Sequence, residues 1–559
     1  MVSDRLSRRR MLAAAGLAGA LAGCTDLVGD GASGTTAPSD GTDTDSTDAE
    51  TATPNAAPRI ADISIAPTPA SQTDIVTVTL TAANDGSAAF DGELVIGNGE
   101  SPIASEPVTI PAGETTSVTA EREVLRVGER RFEGAIRRNG GRVDREQASV
   151  QVQGSPNSFV GVDGTSLTLD DGTFYLSGAN PSMEFTLGFG HPHHDRLRPH
   201  MFEGLSRVGA TVARVLAGNA PIEYGGPFPG EDNSEFFSRF DEVVVRAKRR
   251  NVRLAVPIIS GAPSYRTDPA ENLAADVPGF VHRSDTAEKI NDFYHDEQCL
   301  ALYKQWVEEL LTHENQFTGV EYRNDPTIML WELGNEVEYY KAWERDRQTL
   351  RPWIEEVGPF VQELAGDQLL TTGIHGWPDS RNNFVEDHRP DCIDVCSLHW
   401  WVGRAHYDLP ADEAAALFDE KIAAAHETIG KPLWFSEYNW GYPGGGDAEG
   451  IEDEFLETRN RKLRRLHDRL DEADVAATAV HELTSKHVLE NIIERHRETG
   501  STEIYADADA GTVEELRRYA RITREKSTSS AVPDLPPDEY TLPENRGYPS
   551  NERVRSWLR

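Results

Sequence analysis

Two glutamates stand where a side chain could do acid–base or nucleophilic chemistry. Thr327-Ile-Met-Leu-Trp-Glu-Leu333 reads as a buried strand and runs at once into Gly334-Asn335-Glu336. Lys431-Pro-Leu-Trp-Phe-Ser436 reads as another, and Glu437 follows it. A single carboxyl at a strand end is more often a rim residue or a helix cap. A matched pair suits glycoside hydrolysis, which needs one acid to protonate a leaving oxygen and one carboxylate to attack an anomeric carbon. Unequal burial would separate the two pKa values and with them the two roles. Glu332 faces the interior of the same strand by alternation and reads as a buried structural partner, not a third acid.

Such residues need a frame. From about residue 159 the pattern alternates between apolar strands and amphipathic helices. Strands are expected at 173–177, 210–216, 252–259, 327–333, 369–373, 393–399, 432–436 and 475–482, with helices at 234–251, 297–314, 349–365, 411–429 and 452–471. Eight strands in a repeating alternation with helices imply a closed (β/α)8 TIM barrel, whose working residues sit at the C-terminal ends of the strands. A doubly wound sheet would place a Gly-rich phosphate turn after its first strand, and none is present there.

The other segments have different characters. Residues 1–24 carry Arg8, Arg9 and Arg10, then a short apolar run, then Leu21-Ala-Gly-Cys24. The run is too short to span a bilayer. It resembles a twin-arginine export signal ending in a lipoprotein box, with Cys24 as the lipidated mature residue, so the protein is expected outside the cell and anchored to the outer face of the membrane. Residues 25–58 hold seven acidic and no basic residues among Thr, Ser, Gly and Ala, a composition that stays an extended, self-repelling tether. Residues 59–153 alternate apolar and polar positions between Asn-Asp-Gly, Pro-Ala-Gly and Asn-Gly-Gly turns, the pattern of about seven strands in a small all-β immunoglobulin-like sandwich. A spacer role fits it better than sugar binding, because no exposed aromatic cluster is legible. The barrel domain is expected over 159–530, with a tail at 531–559.

The 559 residues include 93 acidic and 55 basic side chains, a net charge of −38. That excludes a general nucleic-acid-binding surface, which needs clustered Lys and Arg, and resembles the solubility adaptation of proteins from saline habitats, where salt screens self-repulsion. Four cysteines are too few for a disulfide scaffold. Cys299, Cys392 and Cys396 read as packed thiols.

TGVEYRNDPTIMLWELGNE, ending at Glu336, closely resembles the fourth-strand region of the endo-β-1,4-mannanases of glycoside hydrolase family 5. DGTFYLSGAN, GATVARVL, LLTTGIHGW, IDVCSLHWW and KPLWFSEYNW extend the resemblance over most of 168–440. It implies Glu336 as general acid/base and Glu437 as nucleophile of a retaining double displacement. It also implies Asn335 on the sugar 2-hydroxyl, Arg214 beside Glu437, and His399 lining the cleft. No cofactor and no metal are implied. The partner is a mannan-type polysaccharide or oligosaccharide, membrane contact is by the lipid anchor alone, and a monomer is expected.

The chain also departs from that family's pattern. Val337 replaces the usual Pro, and His399-Trp400-Trp401 replaces His-x-Tyr, so that Trp401 cannot supply a phenol hydroxyl to the nucleophile. The eighth strand offers His481 where the family has Trp, and the third ends in Pro257-Ile-Ile-Ser260 without a polar Asn or His. Trp377, Trp400, Trp401, Trp440, Tyr339 and Tyr340 are the aromatics near strand ends that could stack on sugar. His191-Pro-His193-His194-Asp195 reads as a polar rim rather than a metal site, and Asp507-Ala-Asp509-Ala-Gly511 as an acidic turn before a helix at 513–525. Two alternatives remain: a β-glucanase or other β-glycosidase of the same clan, and a non-catalytic sugar-binding lipoprotein.

Overall fold

The computed structural model of the chain describes residues 54–99, 101–182, 186–187, 194–218, 226–261, 274–339, 349–376, 382–400, 411–439, 452–485 and 504–539. The signal stretch with Cys24, most of the acidic tether and the end of the tail lie outside these residues.

Two packed sheets come first. Pro58–Ala66, Ile75–Asn84 and Thr115–Glu123 form one; Ala70–Ser71, Gly141–Gln153, Gly128–Arg138, Phe90–Gly97 and Pro102–Ile110 form the other, in that spatial order. Alternation decides which side chains go inside: Val76, Val78, Leu80 and Ala82 of one strand pack with Leu94, Ile96, Phe132 and Ile136 of the facing sheet. A small antiparallel sheet follows (Val160–Asp163, Ser166–Leu169 and Gly172–Thr173) that the sequence does not announce. Its Val160, Leu167 and Leu169 pack with Phe174, Met329, Leu330, Trp434 and Ala477 of the barrel. Thr173 is taken up in this sheet by pairing with Thr168, so the first barrel strand begins later than expected.

The barrel strands are β1 Leu176–Pro181, β2 Val212–Arg214, β3 Arg253–Pro257, β4 Ile328–Glu332, β5 Leu369–Thr371, β6 Cys396–Trp400, β7 Leu433–Tyr438 and β8 Ala477–Thr484. All pair in parallel in the order β5-β4-β3-β2-β1-β8-β7-β6. The β5–β6 seam is bridged by single bonds: Asp394 N–H to the Leu370 carbonyl at 2.8 Å, and His399 N–H to the His375 carbonyl at 3.3 Å. Each strand is followed by a helix: α1 His194–Val208, α2 Ser234–Lys248, α3 Glu297–Leu311, α4 Arg351–Ala365, α5 Phe384–His388, α6 Ala411–Ala423, α7 Glu452–Glu472 and α8 Ala510–Lys526. Helix α1 was not anticipated from the sequence, and Pro199 interrupts its pattern. Among the described residues no helix is long and apolar enough to cross a membrane.

The sandwich joins the barrel at the end opposite the strand C-termini. Arg249, just past α2, grips Glu123 with two nitrogens at 2.6 Å, Arg126 reaches Glu314 at 2.8 Å, and Val127 N–H meets the Thr318 carbonyl at 3.1 Å. Lys248, itself buried against Asp325 at 2.7 Å, donates to the Ser155 carbonyl of the connecting segment at 3.0 Å.

Strand β7 is tied to the helical shell through its last residue. Tyr438 turns outward, its hydroxyl 2.9 Å from His467 Nε2 on α7, and His467 Nδ1 lies 2.9 Å from Glu515 Oε1 on α8. His467 also stacks on Tyr519, with ring centroids 4.3 Å apart. Burial alone would push the Glu515 carboxyl up, but bonds from His467, Arg518 and Arg464 outweigh it and hold it at about 2. The folded state therefore favours the ionised form. Its stabilisation is complete above the ordinary value of 4.5 and is lost as pH falls through about 2. Glu515→Gln should lower the unfolding free energy at neutral pH by roughly 2 kcal/mol. In denaturant titrations the gap between variant and wild type should close below about pH 2; a gap that is absent at pH 7, or constant with pH, would contradict the assignment.

Candidate active site

The C-terminal mouth of the barrel gathers polar side chains from six strands. Arg214 ends β2, Glu332 ends β4, and Asn180, His399, Glu437 and His481 lie on β1, β6, β7 and β8. Each is carried on a mostly buried strand of the parallel ladder, which fixes where its side chain points.

Arg214 is the hub. Its guanidinium spends all five N–H donors within the protein. Nε and Nη2 grip the two oxygens of Glu332 at 2.9 and 2.7 Å. Nη1 reaches Glu437 Oε1 at 2.6 Å and Asn180 Oδ1 at 3.2 Å. Nη2 also reaches Asn335 Oδ1 at 2.7 Å. Glu332 receives a further bond from Trp434 Nε1 at 2.8 Å, and Asn180 donates through Nδ2 to the Ser436 carbonyl at 2.9 Å. With Asn335 Oδ1 committed to arginine, its amide NH2 is left as the donor end.

The turn bearing Asn335 and Glu336 is fixed by its neighbours on both sides. Asn335 N–H donates to Ile259 O at 2.7 Å, and its own carbonyl accepts from Gly261 N at 2.6 Å. Glu336 adopts a φ of 55° and donates its N–H to the Gly373 carbonyl at 2.8 Å. Left-handed backbone costs energy in a non-glycine residue and is kept only where surroundings enforce it. Gly373 must be glycine here: its φ is 71°, and a Cβ would lie 1.8 Å from the Gly334 carbonyl oxygen.

His399 stands between the two carboxyls that the sequence singled out. Its Nδ1 lies 2.9 Å from Glu336 Oε1 and 3.6 Å from Glu437 Oε2. Burial pushes the His399 imidazole down to about 4, against the pull of Glu437 and Glu332. The ring is thus neutral at ordinary pH, and in its Nδ1–H tautomer it donates to an ionised Glu336. Burial pushes the Glu437 carboxyl up; His399 and Arg214 oppose that, while Glu336 adds to it. Glu336, His399 and Glu437 each offer an atom within 4.8 Å of the others. That spacing could hold a metal ion, although Arg214 already faces Glu437 with the same sign of charge as an ion. It could equally hold the proton and the electrophilic carbon of a substitution reaction.

Glu336, Glu437, Arg214, Asn335 and His399 are thus brought together at one mouth. His481 is half-buried in the second half of β8, close enough for its charge to bear on His399. Trp377, Trp401, Trp440, Tyr340, His191 and His193 lie outside the described residues, as do the side chains of His194 and Asp195. Trp400 is a correction: next to inward His399 it turns outward and packs on Phe418 with ring centroids 5.5 Å apart, so it lines the core and not the cleft. Asp509 binds Arg459 at 2.6 Å and Asp507 binds Ser485 at 2.8 Å, which makes that acidic turn part of the protein's own bonding. Two residues were missed by the sequence reading. Asn180 ends the quoted DGTFYLSGAN stretch, and His375, beyond β5, sits with Nε2 at 3.3 Å from Glu336 Oε1. Their signal was position, a polar residue at a barrel strand end.

A family model described as GH family 5 beta-mannosidase-like matches residues 157–436. Mannan endo-1,4-beta-mannosidase 5 of Arabidopsis thaliana is 27% identical over 308 residues, covering 50% of this chain and 68% of its own. Mannan endo-1,4-beta-mannosidase 4 of Oryza sativa subsp. japonica is 27% identical over 320 residues, covering 52% and 67%. Among solved structures, the glycoside hydrolase family 5 mannosidase of Rhizomucor miehei superposes with a TM-score of 0.51 at 18% identity, over 66% of this chain and all of that one. At that identity the superposition speaks for the barrel fold.

The electrostatics of the mouth can be checked without substrate. A carbon-13 titration should place the Glu437 midpoint above the ordinary 4.5 in the wild type. Arg214→Met, confirmed as folded by near-ultraviolet circular dichroism, should raise it further by about one unit or more. A wild-type midpoint at or below 4.5 would show that arginine, not burial, dominates.

Proposed function

From a chain that belongs to glycoside hydrolase family 5, in its β-mannosidase-like group, we propose a retaining endo-acting hydrolase of β-1,4-mannosidic bonds. The observation that carries the proposal is the close approach of Glu336 and Glu437, with ligand oxygens within 4.8 Å of each other. A retaining pair works at about 5–5.5 Å, whereas an inverting pair stands roughly 6.5–9.5 Å apart to admit a water.

Each carboxyl then has a role suited to its surroundings. Arg214 holds Glu437 Oε1 at 2.6 Å and leaves Oε2 to attack the anomeric carbon. Glu336, the more exposed of the two, gives its proton to the leaving oxygen as the C1–O bond breaks. It then takes a proton from the water that releases the glycosyl-enzyme. Asn335, with Oδ1 fixed on Arg214 at 2.7 Å, presents N–H to the sugar 2-hydroxyl, a bond that strengthens as positive charge builds on the ring. Mannan as substrate is supported by the names of the relatives. The altered sixth and eighth strands, with His481 in place of a tryptophan, favour a changed sugar-contacting rim and keep a β-glucan alternative in view.

Reducing-sugar release at molar salt from galactomannan, glucomannan, cellulose and xylan tests this. Release should be confined to the mannans and fall by at least about a thousandfold in Glu437→Gln; proton NMR should show the β-anomer of the product first. Activity on cellulose or xylan alone would move the substrate, α-anomer formation would overturn retention, and unchanged activity of the variant would overturn the nucleophile.

The stretch from Ser7 to Cys24 supports export and lipid anchoring. Cys24→Ser should release the protein from the membrane fraction into the medium; an unchanged partition would remove the anchor from this reading.

A further inference from the structure

Glu336 Oε1 faces two imidazoles, not one. His399 Nδ1 lies 2.9 Å from it and His375 Nε2 lies 3.3 Å from the same oxygen. Both rings are buried, and their centroids are 5.8 Å apart. The backbone of the segment bearing His375 holds the acid once and its other imidazole partner once. The Gly373 carbonyl accepts the Glu336 N–H at 2.8 Å, and the His375 carbonyl accepts the His399 N–H at 3.3 Å. A histidine kept only for packing has no need to direct a ring nitrogen at the one partly exposed carboxyl of the site. Among the described residues, the titratable and charged groups that face Glu336 include His375 from beyond β5, His399 from β6, Glu437 from β7 and Arg214 from β2.

Resting on the double-displacement reading above, we propose that His375 is a positioning residue for the acid/base carboxyl: together with His399 it keeps Glu336 Oε1 as an acceptor, so the transferred proton is carried on Oε2. A carboxyl oxygen that receives two N–H donors is a poor place for its own proton, because three hydrogens would converge on it. In the first step the Oε2–H bond breaks and an O–H bond forms on the leaving group. The C1–O bond breaks, and a bond from Glu437 to C1 forms. Neither imidazole gives up a proton. Both stabilise the Glu336 carboxylate left behind, which lowers the pH at which the acid is lost. His375 thus sets the basic limb of the activity profile and the aim of the proton, without touching substrate.

The test compares His375→Leu, which removes the donor, with His375→Gln, which returns an N–H near the same place. The substrates are mannan oligosaccharides, whose leaving group needs protonation, and 2,4-dinitrophenyl β-mannobioside, whose leaving group does not. In His375→Leu, kcat/KM on oligosaccharides should fall about 10- to 100-fold while the dinitrophenyl substrate changes by less than about threefold. The basic limb of kcat/KM should rise by roughly one pH unit. His375→Gln should restore most of both. Equal losses on the two substrates with an unmoved limb would make His375 merely structural and overturn the proposal, as would no loss on either. The wild type separates this from the substrate reading: the same pattern found only on the matching β-glucosides would correct the sugar and leave His375 in its role.

Discussion

Burying one guanidinium at the centre of a barrel is the constraint around which the rest is arranged. Arg214 is taken almost entirely out of water, and an unpaired cation there would cost several kcal/mol even after relaxation. Five N–H donors demand five acceptors in a plane. They come from Asn180, Glu332, Asn335 and Glu437, on or just beyond three other strands. Those strands can meet the demand only in one register, so the ion-pair network specifies the alignment of β1, β2, β4 and β7 as much as it is positioned by them. The two carboxylates on one arginine leave negative charge in excess. Trp434 meets part of it with a neutral N–H donor on Glu332.

The division of labour between Glu332 and Glu437 follows from that geometry. Both lie on the same arginine, yet Glu332 has a bidentate grip and an indole on it and no access to solvent. Glu437 has one oxygen held and one left over. A fully satisfied carboxylate is a structural anion; a half-satisfied one, lifted by burial, is a group with something still to bond.

Much of the barrel was legible because its strands are continuous apolar runs, and a run such as Ile328–Glu332 cannot be hidden among amphipathic helices. The immunoglobulin-like alternation was plain for the same reason, with period two repeated over long strands such as Ile75–Asn84. What failed was short or local. The sheet over 160–173 is made of strands of two to four residues, too brief for alternation to register, and it shifted the start of β1. Helix α1 carries Pro199 inside it, a residue that ordinarily ends a helix and so masks the stripe of Met201, Phe202, Leu205 and Val208. Trp400 reads as a cleft residue by aromatic type, but strand parity, set by His399, turns it outward onto Phe418. His375 and Asn180 carry no signal in residue type; only their place, near the end of β1 for Asn180 and beyond β5 for His375, could have found them. Such contacts are set by tertiary closeness of strands far apart in sequence.

The join between sandwich and barrel has a geometrical consequence. Glu123, Arg126, Val127 and Ser155 meet the barrel at Arg249, Glu314, Thr318 and Lys248, at the end of α2 or on the segments that lead into strands. Glu336 and Glu437 lie at the far end. A polymer lying across that end never crosses the sandwich, whose bulk can be lengthened, shortened or exchanged without altering any sugar subsite. Evolution can therefore tune stand-off height and bond selectivity as separate traits, one at each pole of the barrel.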